Sequence, residues 1–130
     1  MIIIVGYTPT PEGEAALDHA IAEAHHHDDD LLVVNVSASS NPHADFATDT
    51  QVADLERRLR AEGVRFTLRQ LVRGRSAADE ILDLEADQHV RGVVIGLRHR
   101  SPVGKLLLGS TAQRILLEST SPVISVKAVR

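Results

Sequence analysis

Cysteine is absent from this 130-residue sequence, which removes disulfides, zinc–thiolate centres and a thiol nucleophile from consideration. Tryptophan is absent too, and the aromatic side chains are one Tyr and two Phe. The core must therefore be aliphatic, and a platform of stacked rings for single-stranded nucleic acid is not expected. No block of Lys or Arg falls on one helix, and the formal net charge is −4. The cationic face that duplex DNA requires is missing. The opening apolar run, MIIIVGY, is far too short for a signal peptide or a membrane span. A cytoplasmic protein is the simplest expectation.

Hydrophobic residues make up 43% and charged residues 25% of the chain, the balance of a soluble globular protein rather than a disordered one. One domain, residues 1–130, is expected at this length. Continuous β-branched runs mark buried strands from Met1 to Gly6, Leu31 to Val36 and Gly92 to Ile95, with a fifth strand from Pro122 to Val126. The stretch from Val64 to Val72 reads as the third strand, from alternation at Val64, Phe66 and Leu68. Thr10 and Pro11 open a first helix, with Ala16, Leu17, Ala20, Ile21 and Ala24 on its apolar face and its end near His27. A second is expected from about Ala44 to Glu62, with Val52, Leu55 and Leu59 at helical spacing and Gly63 as its stop. Ser76 with Asp79 starts a third, and a fourth runs from Gly109-Ser110-Thr111 to about Glu118. Strands alternating with long helical crossovers imply parallel pairing and right-handed connections. The expected fold is α/β: a five-stranded parallel, doubly wound (Rossmann-like) sheet of order 3-2-1-4-5, with helices on both faces.

Chemistry concentrates in GVVIGLRHRSPVGKLLLGST, Gly92 to Thr111. Gly96 is expected to end the fourth strand, and a cationic loop with Arg98, His99, Arg100 and Lys105 leads to the Gly109-Ser110-Thr111 helix start. Unpaired N–H groups and the positive end of the dipole make such a start an anion site. The plain alternative is a connection whose glycines serve only the turns. Ligands of doubly wound sheets bind beyond the carboxyl ends of the strands, where strand order reverses. With the first and fourth strands as neighbours, the loops after Gly6 and after Gly96 face one crevice. By contrast, His25-His26-His27 and Asp28-Asp29-Asp30 are expected to form a solvated helix exit rather than a metal site, because adjacent helical residues point about 100° apart. Ser110 has no His–Asp relay around it in the sequence, and Asp79, Asp83 and Asp87 mark the solvated side of one helix.

These residues resemble the universal stress protein family, over almost the whole chain, from IIIVGYTPTPEGEAALDHAIAEA to GVVIGLRHRSPVGKLLLGSTAQRILLESTSPVISVK. The family's motif is Gly, two residues, Gly, nine residues, Gly, then Ser or Thr. Gly96, Gly109 and Ser110 stand in their places with the full spacing. The resemblance implies a homodimeric regulatory module that binds an adenine nucleotide, ATP or a relative, between the first and fourth strands. Backbone near Gly96 and the Gly109-Ser110-Thr111 start would cradle phosphates, backbone at about Val36 would meet adenine, and Tyr7, Thr8 and Pro9 would lie at the exit of the first strand. Neither a metal nor a dedicated enzymatic activity is implied. Dimerisation would run through the last strand, Val123 to Val129, an edge that otherwise invites pairing. Further protein partners are unspecified, and neither nucleic acid nor membrane is expected.

Two positions depart from the family pattern. Thr8 stands where an Asp is usual, and its hydroxyl is a weaker, uncharged acceptor. His99 replaces the second glycine. It implies a rerouted loop, no phosphate in the usual place, or an imidazole that joins Arg98, Arg100 and Lys105 in replacing backbone donors. The alternative to a nucleotide-binding module is therefore a dimeric interaction or stress-response protein with a degenerate site.

Overall fold

Strands and helices alternate along the chain: β1 (Ile2–Gly6), α1 (Pro11–His27), β2 (Asp30–Ser37), α2 (Asp49–Ala61), β3 (Phe66–Val72), α3 (Ala77–Ala86), β4 (Val90–Leu97), α4 (Ser110–Glu118) and β5 (Val123–Lys127). The computed structural model describes residues 1–37, 46–97 and 108–128. Every pairing is parallel and the order is β3-β2-β1-β4-β5, as expected. Successive strand residues face opposite sides of the sheet. Ile3, Val5, Leu31 and Val33 pack under α1 and α2, whereas Ile4, Leu32, Val34, Val93 and Ile95 pack under α3 and α4. The buried alanines of α1, Ala16, Ala20 and Ala24, let that helix lie close over β1 and β4.

Three elements differ from expectation by two residues or more at an end. The second helix starts at Asp49 rather than near Ala44, because Thr48 and Gln51 form a reciprocal cap: Gln51 N–H donates to the Thr48 hydroxyl (3.2 Å) and Thr48 N–H to the Gln51 side chain (2.8 Å). Expected helical residues before Phe46 lie outside the described residues. β3 begins at Phe66 rather than Val64. Gly63 is left-handed (φ 73°) and Val64 N–H still bonds the Leu59 carbonyl, so both belong to the end of α2. β4 is longer than Gly92 to Ile95, and Gly96 lies inside it, paired with Val126.

At the amino-terminal edge of the sheet, the register of β1 on β4 steps from Ile2–Val90 to Ile3–Gly92 and leaves Arg91 out of the pairing. Its guanidinium bonds Asp29, whose side chain is 3% exposed. The hydrogen bond from Arg91 holds the Asp29 carboxyl below its ordinary range, against the upward push of burial. A depressed pKa gives stability that is present above the unfolded value and is lost as pH falls through the folded one. We expect Asp29→Asn to cost about 2 kcal/mol at pH 7. In urea titrations the deficit should shrink from about pH 4 downward, as the wild-type carboxylate is protonated. A deficit independent of pH would assign the loss to packing instead of charge.

Candidate functional site

The carboxyl ends of β1 and β4 lie side by side at the point where strand order reverses, and a cleft of about 590 Å³ opens there, within the range of small-molecule sites. Tyr7, Thr8, Val36, Gly96, Gly109, Ser110 and Thr111 line it. Of the expected site residues, Pro9 does not: it lines a neighbouring depression with Glu14, Gln51 and Arg58. Arg98 and His99 lie outside the described residues, as do Arg100 and Lys105.

Close approach, rather than a strand end, explains Gly96. A Cβ on it would lie 2.3 Å from the carbonyl oxygen of Glu12 in the first turn of α1. On the other side of that turn, a Cβ on Gly13 would lie 1.9 Å from the Thr8 carbonyl oxygen. Two missing side chains thus let α1 wedge its start between the β1 exit and β4. Thr10 caps that start, its hydroxyl accepting from Gly13 N–H at 3.2 Å and lying 2.7 Å from the Thr8 hydroxyl. The opposite wall comes from α3 and α4. Arg114 of α4 donates to Asp79 (2.7 Å) and Ser76 (3.4 Å) at the start of α3, which holds Asp79 below the usual carboxylate range. Ser76, Ala77, Ile81, Ile95 and Ile115 complete a largely apolar lining.

Polar anchors fix the rim. Asn35, fully buried, donates to the Tyr7 carbonyl (2.8 Å) and accepts from Ala47 N–H (2.9 Å) and Gln70 (3.1 Å). Gln70 also donates to the Ala47 carbonyl at 2.9 Å. These bonds tie the β1 exit and the approach to α2 onto β2 and β3. Tyr7 donates its hydroxyl to Glu14, which Arg58 also holds. Burial pushes the Tyr7 phenol well above its usual range, and the Glu14 hydrogen bond and charge add to it. Tyr7 was expected at this site, but Asn35 and Gln70 were not singled out from sequence, because a polar residue in a strand shows its purpose only with its partners.

The start of α4 is unlike the others. Thr10, Thr48 and Ser76 each cap their helix through a side-chain oxygen, whereas Gly109 caps α4 with no side chain to offer. A Cβ there would meet nothing within 4 Å. The N–H groups of a first helical turn have no intrahelical acceptor, and Ser110, Thr111 and Ala112 line the cleft. Among the described lining residues the one charged side chain is that of Glu12. The arrangement can hold an anion at the α4 start and an apolar group against Val36, Ile81 and Ile95.

Among the described residues no three His, Asp or Glu are placed to hold a metal. His19 and His27 instead flank one carboxylate, Glu23, at 3.4 and 3.2 Å, while His25 turns toward Glu62. No helix among the described residues is long and apolar enough to cross a membrane.

Residues 1–127 match the model of the universal stress protein family. A universal stress protein of Mycolicibacterium smegmatis is 47% identical over 127 residues, 97% of each chain. Among solved structures, one universal stress protein of Archaeoglobus fulgidus is 30% identical with a TM-score of 0.74. Another from that organism, in complex with dAMP, is 25% identical with a TM-score of 0.68; each comparison covers 98% of both chains.

Proposed function

Because this chain belongs to the universal stress protein family, we propose that it is a regulatory module binding an adenine nucleotide between the carboxyl ends of β1 and β4. The observation that carries the reading is the bare start of α4, opening into a cleft of nucleotide size. Phosphate would take the first-turn N–H groups and the dipole end, and the base would lie against the apolar wall near Val36. A relative solved with dAMP supports this. The module would work as a cytoplasmic sensor rather than an enzyme.

Two copies would pair through β5, whose outer edge has no neighbouring strand among the described residues. Leu117 of α4 is also 83% exposed. A second reading, a dimeric interaction protein with a degenerate site, is favoured by the Thr8 hydroxyl lying against Thr10 and by the acidic Glu12 in the cleft. Calorimetric titration with ATP, AMP and inorganic phosphate separates the two. The nucleotide reading expects micromolar binding of ATP or AMP and none of phosphate, by a protein that sediments as a dimer. Heat with phosphate alone, or with none of the three, favours the interaction protein.

A further inference from the structure

We infer that Phe46 is the base-contacting residue of the cleft, so that the site selects a flat heteroaromatic ring and not merely a sugar phosphate. This rests on the nucleotide reading and deepens it. The chain has three aromatic side chains, Tyr7, Phe46 and Phe66. Phe66 packs against the core under α1 and α2, and Tyr7 is 4% exposed with its hydroxyl committed to Glu14. Phe46 alone of the two phenylalanines lines the cleft, half-buried, together with Val34, Val36 and Ile95. Its backbone is not loosely held. Ala47, the next residue, is buried and bonded through both its N–H and its carbonyl to Asn35 and Gln70. Those two residues are register partners on β2 and β3, so Phe46 is presented from the sheet itself.

A partly exposed phenyl ring beside an apolar wall is covered by a stacked base without any change of hydrogen bonding, and such stacking tolerates different bases because each has a π-face. A sugar phosphate has no such face. Phe46 thus sets the ligand class, while the start of α4 sets its charge.

The test is calorimetric titration of the full chain and of Phe46→Ala, Phe46→Leu and Phe46→Trp with AMP and with ribose 5-phosphate. Phe46→Ala should lose on the order of tenfold in AMP affinity, Phe46→Leu should lose part of that, and Phe46→Trp should keep it. Ribose 5-phosphate should bind all four alike and weakly. The chain has no Trp of its own, so the Phe46→Trp fluorophore should respond to AMP and not to ribose 5-phosphate. Equal AMP affinity in wild type and Phe46→Ala overturns the assignment. So does a parallel loss of ribose 5-phosphate binding, which would mark a structural role. Failure of the wild type to bind either AMP or ATP overturns the nucleotide reading beneath it.

Discussion

Gly96→Ala is expected to destabilise the chain by about 2–3 kcal/mol, at the upper end of what overpacking costs. The added methyl would lie 2.3 Å from the Glu12 carbonyl oxygen and 2.7 Å from its carbon. Both are backbone atoms, so no rotamer change relieves the clash. Retreat of α1 is costly as well, because its alanine face is packed over β1 and β4 and any gap forfeits dispersion contacts. Acting the other way, alanine restricts the unfolded chain and recovers about 0.4–1 kcal/mol. Sterics should win. Urea denaturation reads the result as a lower midpoint at constant slope. An unchanged midpoint would mean that the α1 start shifts freely and that Gly96 serves some other end.

Gly109→Val should do the reverse: leave the fold intact and remove ligand binding. The backbone at Gly109 is extended (φ −66°, ψ 162°), a conformation that valine favours. Its Cβ would meet nothing within 4 Å, so stability should change by no more than about 0.5 kcal/mol. Yet an isopropyl group at the bare helix start would occupy the space where an anion must approach the N–H groups. Losing two charge-assisted hydrogen bonds, each worth about 1.5–3 kcal/mol, predicts at least a roughly 100-fold fall in AMP affinity. Calorimetry on the folded variant checks it. Undiminished binding would place the phosphate elsewhere and sink the site assignment.

These two glycines show where sequence reading succeeds and where it stops. Signals confined to a few neighbouring residues were legible: the Thr10-Pro11 and Ser76 helix starts, the β-branched strands, and the crossovers that give the sheet its order. Gly96, Gly109 and Ser110, which the motif spacing links, line one cleft. Contacts between distant segments were not legible. Gly96 looked like a strand end because its reason, the Glu12 carbonyl, lies at the other end of the chain. Glu80 looked like any residue of α3, but it is 1% exposed and held by both Arg73 and Arg75. Asn35 sat unnoticed in an apolar run although it joins three segments. Pro9 was expected at the cleft because it follows Thr8, yet the chain turns there and Pro9 faces the next depression.

The bare start of α4 also bears on how the fold responds to what surrounds it. Three helices carry their own terminating oxygen in the sequence; the fourth does not. At nine residues, α4 is shorter than a helix that holds together unaided in water. An anion bound at its first turn would therefore be a missing part of the helix as well as a guest, and its concentration would enter the folding equilibrium by mass action. A sensor built this way needs no hinge or lid. The level of the ligand would be recorded as the fraction of molecules in which α4 is fully wound, and whatever reads the α4 and β5 surface would read that level.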